Sequence, residues 1–335
     1  MVYGIGNPLI DILVNVNDGD LSNLNLSKGT MHLIDEKRRE EILLYIEDKK
    51  KVYSCGGSCP NTIIALSAFG IKTVLSGKIS RDKFGEIYTA QLKDPGVISD
   101  IKFGDEYPTG SSIILISPDT ERTMNTYLGI CRFFSKEDIN ENLLKDSEIL
   151  YFTGYMWDTE SQKEAVIKAV DIAKKHNITV VFDVADPFVV QRNKKAFLDL
   201  IEKKIDIVFA NNEEAKILFD NSDIRTGIDE LSKMTDTAIV KNGASGSFIK
   251  QKDENLIEIP VNKVSAIDTT GAGDMYAAGF LFGLSKKYNV FDSGICASFL
   301  ASQIILQKGA QFSKEKINTL KVILSTEKWK YHENS

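Results

Sequence analysis

The chain has 335 residues, of which 43% are hydrophobic and 26% charged, with a formal net charge of −6. That length admits one large α/β domain or two smaller ones, and the acidic balance excludes an overall basic field for holding nucleic acid or an anionic membrane. Cys55, Cys59, Cys131 and Cys296 form no C-x-x-C pair, and His32, His176 and His332 stand apart, so a disulfide framework, a histidine-built metal site and a histidine-centred triad are excluded.

Residues 1–7 begin in a strand-like pattern without a basic segment, an apolar core and a cleavage site, and no uncharged apolar stretch approaches about 18 residues. These features predict a soluble, cytoplasmic protein. A strand is expected over 2–5, a helix over 61–69 closed by Gly70, and a strand over 73–77. The run 149–152 is then followed by a helical stretch over 159–176 with Ala165, Val166, Ala169, Val170 and Ala173 on one face. Short β-branched runs at 180–183, 206–210 and 238–241 repeat the alternation, which is the pattern of buried parallel strands in a doubly wound sheet. Two segments break it, at 12–34 and 102–128. The second reads as a β-hairpin turning at Pro118-Asp119, and the two are expected to pair into a small sheet covering a site on the main domain.

The stretch 265–275, Ser-Ala-Ile-Asp-Thr-Thr-Gly-Ala-Gly-Asp-Met, carries the most chemistry. Gly271, Ala272 and Gly273 let backbone approach an anion, and the apolar helix that follows points its free N–H groups and positive dipole end at the loop. Asp274 in that first turn is either a favourable helix-start acid or a base for an attacking hydroxyl. A second glycine turn, Gly56-Gly57, precedes a helix with Pro60 in its first turn, and reads equally as a ligand approach or a tight connection. Asn61 offers donor and acceptor groups, while Asp11, expected at the end of the first strand, offers acceptor oxygens for vicinal hydroxyls. Asn211 and Glu214, just after a strand, either order Mg²⁺ through water or cap a helix. The opening Gly4-Ile5-Gly6 lacks the third glycine of a dinucleotide fingerprint, and no Walker loop occurs.

Gly56-Gly57 with Asn61, Asn211-x-x-Glu214, Lys241-x-Gly243-x-x-Gly246 and the string 268–274 together resemble the ribokinase, or PfkB, family of sugar and nucleoside kinases over essentially the whole chain. Within it, Gly6-Asn7-Pro8-Leu9-Ile10-Asp11, Glu121-Arg122-Thr123 and Gly154-Tyr155-Met156-Trp157 are most similar to adenosine kinases and their bacterial relatives. Thr270 and Cys59-Pro60 depart from the animal adenosine kinases.

The resemblance implies a ribokinase-like three-layer α/β/α sandwich with a small β-sheet lid inserted at about 12–34 and 102–128. It implies ATP-dependent phosphorylation of the 5′-hydroxyl of adenosine, with sugar phosphorylation and a catalytically silent nucleotide-binding module as alternatives. In that reading Asp274 is the catalytic base, and Gly271, Ala272 and Gly273 form the anion hole. Asp11, Gly56, Gly57, Asn61 and Tyr155 grip the acceptor, and Arg122 reaches from the lid toward the phosphates. Asn211, Lys241, Gly243, Gly246 and Thr269 serve ATP, and Glu214 orders Mg²⁺ through water. K⁺ activation and the choice between monomer and homodimer stay open. Tyr155-Met156-Trp157, with Leu128 and Phe134, offers flat apolar surface for a base or else belongs to the core.

Overall fold

A computed structural model describes residues 1–119 and 121–331; His332 lies outside them. Nine strands form the main sheet, in the order β14-β13-β12-β11-β10-β9-β1-β5-β6. They are β1 (Val2–Ile5), β5 (Thr73–Ser80), β6 (Ile98–Gly104), β9 (Ile149–Thr153), β10 (Thr179–Asp183), β11 (Ile207–Asn211), β12 (Thr237–Lys241), β13 (Ser247–Gln251) and β14 (Ile257–Ile259). From β6 to β12 the pairing is parallel, and β13 and β14 add antiparallel at one edge.

Successive side chains on a strand point to opposite faces, and the core divides accordingly. Tyr151, Val181, Phe209 and Ile239 pack with helices Ser58–Ala68, Ala272–Ser285 and Val290–Ile304. Leu150, Phe152, Phe182, Val208 and Val240 pack on the other face with helices Glu160–Lys175, Pro187–Lys204 and Ile224–Met234. The result is a three-layer sandwich. Both faces being covered explains why the strands read as continuous apolar runs. Helix 160–175 matches its expected span, with the Thr159 side chain accepting from the Gln162 amide at its start and His176 closing it.

A second sheet of five strands has the order β3-β8-β7-β2-β4. It comprises β2 (Leu9–Asn15), β3 (Met31–Leu33), β4 (Lys51–Gly56), β7 (Ser111–Ile116) and β8 (Arg122–Tyr127). The hairpin is β7 with β8, and β2 joins it in parallel. Two expectations, the lid segment at 102–104 and the place of Asp11, are corrected here, and one further strand is added. Residues 102–104 continue β6 of the main sheet, because Lys102, Phe103 and Gly104 register with Lys78, Ile79 and Ser80. Residues 51–56, which have no clear strand pattern, form an edge of the small sheet against β2. Asp11 lies within β2 of the small sheet, opposite Ser54, and not at the end of the first strand.

The parallel strands all end toward the small sheet's side of the molecule, where Thr153, Asp183, Asn211 and Lys241 stand at strand termini around one cleft. Strand β1 lies where the order reverses, with β5 on one side and β9 on the other, and ligands of open α/β sheets collect at such a point. Among the described residues no helix is long and apolar enough to cross a membrane.

Candidate active site

Gly271 caps helix Ala272–Ser285 in the left-handed region, at φ 78°, with no side-chain hydrogen bond. A β-carbon there would stand 2.8 Å from the Ala310 Cα, so both conformation and space require glycine. Asp274 is the third residue of the helix, yet its carboxylate turns away from its own helix start. It accepts from Ser58 Oγ at 2.6 Å and from Asn61 Nδ2 at 2.9 Å, while Thr62 Oγ1 donates to the Asp274 carbonyl at 3.1 Å. Burial raises its pKa to about 6, against the two hydrogen bonds, which favour the anion. A carboxylate so held titrates close to neutrality and is suited to take a proton from a hydroxyl.

Asp11 faces the same cleft, and burial lifts it to about 7, with Arg122 opposing and Asp274 reinforcing the shift. Gly56 makes that placement sterically feasible: a β-carbon on it would fall 2.2 Å from Asp11 Oδ1. Gly57 adopts φ 98°, and its β-carbon would meet the Asn7 carbonyl at 2.1 Å. Gly57, Asn61, Asp11 and Tyr155 line the cleft, whereas Gly56 contributes room and not wall.

Arg122, the first residue of β8, is paired with Asp268, which also accepts from the Gly309 and Thr270 amides, at 2.7 Å and 3.0 Å. The small sheet is thus tied to the loop that precedes Gly271. The Arg122 Nη1 atom is buried without a hydrogen-bond partner among the described residues, which leaves a donor free there.

On the other flank, Lys241 Nζ lies 2.9 Å from Asp183 Oδ2 and 3.4 Å from where a β-carbon on Gly273 would stand. Burial pulls its pKa down, but Asp183 and Glu214 outweigh it and hold the ammonium above its ordinary range. Asn211 and Glu214 form a reciprocal cap: the Asn211 side chain accepts from the Glu214 amide at 2.9 Å, and Glu214 accepts from the Asn211 amide at 2.7 Å and side chain at 2.6 Å. Glu214 is buried, and its pKa rises to about 7 from that burial, against Lys241.

Two cavities of about 460 Å³ each meet at this point. The first, under the small sheet, contains Asp11, Asn61, Asn211, Glu214 and Asp274. The second, over the C-terminal helices, is walled by Gly246, Val261, Val264, Ala301 and Ile305. Lys241, Gly243, Thr269, Ala272 and Gly273 border both. Asn211 and Glu214 therefore face the first cavity, and Gly246 only the second. Gly246, at φ 87°, approaches the Ile259 carbonyl so closely that a β-carbon would stand 2.2 Å from it.

The aromatic run reads differently in the folded chain. Trp157 packs among Phe152, Phe182 and Phe197, with ring centroids 5.7–6.2 Å away, and Met156 and Phe134 are buried in the same cluster. These residues are core, because the turn Gly154–Trp157 sends both Met156 and Trp157 into that cluster, and of the three only Tyr155 reaches the cleft. The apolar wall of the first cavity comes instead from Leu9, Met31, Leu33, Ile114, Met124 and Leu128, mostly from the small sheet. Ser58, Asp183 and Asp268 are site residues that the sequence reading did not single out.

The chain is 26% identical over 292 residues to the 5-dehydro-2-deoxygluconokinase of Clostridium perfringens, covering 83% of this chain and 86% of the relative. A probable sugar kinase from Rhizobium etli CFN 42 superimposes with a TM-score of 0.88 at 32% identity, over 96% of this chain and 97% of that one. Adenosine kinase from Sinorhizobium meliloti does so with a TM-score of 0.87 at 32% identity, over 96% and 98%. Residues 30–317 match the pfkB family carbohydrate kinases, and with that match spanning most of its length the chain belongs to this family of ATP-using phosphotransferases, which act on hydroxyl groups of sugars or nucleosides.

Proposed function

We propose that this kinase transfers the γ-phosphoryl group of ATP to the 5′-hydroxyl of adenosine, giving AMP and ADP. The observation that carries the reading is the two-part character of the first cavity: Asp11 and Asn61 stand beside Asp274, and six apolar side chains form the wall beyond them. Hydroxyl-binding groups alone suit any sugar, whereas an apolar wall of that extent suits a purine base. The 32% identity to a protein named adenosine kinase agrees with it.

In this reading Asp11 and Asn61 hold the ribose hydroxyls and leave the 5′-oxygen facing Asp274. Asp274 takes the hydroxyl proton as the oxygen–phosphorus bond forms, and the bond from phosphorus to the β,γ-bridging oxygen breaks, releasing ADP. The Gly273 amide and the Lys241 ammonium offset charge on the transferred group, joined by the Ala272 amide once it leaves the Thr269 carbonyl to which it donates at 3.2 Å, so positioning and electrostatics supply most of the catalysis. Mg²⁺ neutralises phosphate charge when bound. Glu214 already accepts twice from Asn211 and lies beside a lysine, so it suits an ion held through water, which Mg²⁺ favours. The small sheet serves as a lid, with Arg122 and Asp268 fastening it to the loop.

A sugar acceptor is the second reading, favoured by the name of the Clostridium perfringens relative. Initial rates of ADP formation with adenosine, ribose, fructose and 5-dehydro-2-deoxygluconate, measured side by side, separate the two. Adenosine should lead by at least two orders of magnitude in kcat/KM; a sugar in first place overturns the nucleoside assignment.

A further inference from the structure

A third cavity, of about 430 Å³, lies behind the catalytic wall, bounded by helix Ser58–Ala68, the end of helix Lys83–Lys93 and helix Lys314–Ser325. It is nearly as large as the two cavities of the cleft, and within the range of sites that hold small ligands. The geometry points to a regulatory site for a small organic monophosphate with a nucleoside- or sugar-sized body, acting on Asp274 from behind.

The lining has three kinds of surface. Ile64, Ala65, Ala68 and Ile317 are apolar; Gln311 and Asn318 present amides, while the Gln91 amide accepts from the Cys55 N–H at 2.7 Å and donates to the Tyr53 carbonyl at 3.5 Å; Lys314 and Lys321 stand on one face of their helix, seven residues apart. Lys314 pairs with Asp94 at 2.6 Å, while among the described residues no carboxylate pairs with Lys321. The uncompensated charge at this cavity is therefore positive, and a phosphate would meet it while its organic body lay against the amides and apolar side chains.

One residue belongs to both this cavity and the cleft. Asn61 lines the two, donating through Nδ2 to Asp274 at 2.9 Å and accepting through Oδ1 from Gln311 Nε2 at 3.3 Å. Gln311 Nε2 also donates to the Cys55 carbonyl at 2.6 Å, one residue before Gly56. A ligand that captures the Gln311 amide releases Asn61, and with it one of the two hydrogen bonds that orient the Asp274 carboxylate. Occupancy thereby lowers turnover without filling the cleft.

Calorimetric titration of the full chain with AMP, ribose 5-phosphate and inorganic phosphate tests this, using wild type, Lys321→Glu and Ala68→Trp. On wild type AMP should occupy two sites, the cleft that holds it as product and a second one that weakens at least tenfold in both variants; ribose 5-phosphate should weaken likewise and inhibit noncompetitively with acceptor, and inorganic phosphate should bind poorly throughout. Equal binding of ribose 5-phosphate to all three proteins, a single AMP site on wild type, or ribose 5-phosphate inhibition purely competitive with acceptor or ATP, overturns the site. Should adenosine prove not to be the acceptor, its turnover fails in wild type while the Lys321-dependent binding persists, so the two readings fail separately.

Discussion

Asp183 and Lys241 form a buried ion pair, 2.9 Å long, that sets an ammonium beside Gly273 at the start of helix Ala272–Ser285. Each end terminates a different parallel strand, so the pair's geometry is fixed by the sheet itself. Lys241→Gln should lower kcat by about 10²-fold or more, the range for losing one stabilising donor at developing charge. It also leaves Asp183 buried without its partner, a loss that typically costs about 3–5 kcal/mol. Turnover measured well below the melting temperature separates the two effects, and an unchanged kcat in folded protein removes Lys241 from the chemistry.

Catalysis should follow the ionisation of Asp274. With its pKa raised to about 6 by burial, kcat/KM should fall tenfold per pH unit below that value as the base takes up a proton. Ser58 donates to the carboxylate and so favours its charged form. Ser58→Ala should therefore move the acid limb to higher pH, and Ser58→Thr should restore it. An unmoved limb would reduce Ser58 to a packing role.

Gly56→Ala should damage acceptor binding selectively. The added methyl would lie 2.2 Å from Asp11 Oδ1, and the carboxylate cannot hold its place. Hydrogen bonds to charged groups contribute about 1.5–3 kcal/mol, so KM for the acceptor should rise by about one to two orders of magnitude while KM for ATP changes little. Equal rises in both constants would contradict the division of the cleft.

The loop 268–274 was legible because its glycines and carboxylate are contiguous and open an apolar helix, so neighbours in sequence are neighbours in space. The main sheet was legible for a related reason, since strands covered on both faces are apolar at every position. Asp183 was not, because a lone acid at a strand end gains meaning only when β12 brings Lys241 beside it. Strand β4 escaped notice because Lys51-Val52-Tyr53-Ser54 sits at a half-exposed edge, where alternation is weak. The direction in which Trp157 points is set by helix Pro187–Lys204 packing over it, which no local pattern records.

Stability should decline as pH rises from about 4 to 7. Asp11 and Glu214 are raised to about 7 and Asp274 to about 6, each mainly by burial. A carboxyl whose folded pKa exceeds its unfolded value binds its proton more tightly in the native state. Its contribution is fully present below the unfolded range near 4 and is lost as pH climbs through the folded value. Asp119, held at about 2 by Lys28, opposes this only at lower pH and is flat across the window. Thermal melts should thus give a lower Tm at pH 7.5 than at pH 5.5, with a smaller difference in Asp11→Asn. A Tm that rises over that interval would show that these groups do not dominate.

Acceptor selectivity should reside in the small sheet and not in the aromatic cluster. Met124 on β8 registers with Met31 on β3, and both line the first cavity together with Ile114. Met124→Ala removes apolar wall from the proposed base site, and changes of this size in an apolar pocket shift specificity by about 10–200-fold. The kcat/KM for adenosine should fall within that range while ATP constants hold. Trp157→Ala, by contrast, empties a site among Phe152, Phe182 and Phe197 and should cost about 3–5 kcal/mol of stability. Folded Trp157→Ala should keep the discrimination between adenosine and ribose, because no part of the cleft wall is lost with it. If Met124→Ala leaves that discrimination intact and Trp157→Ala abolishes it, the base is held elsewhere and the small sheet is only a cover.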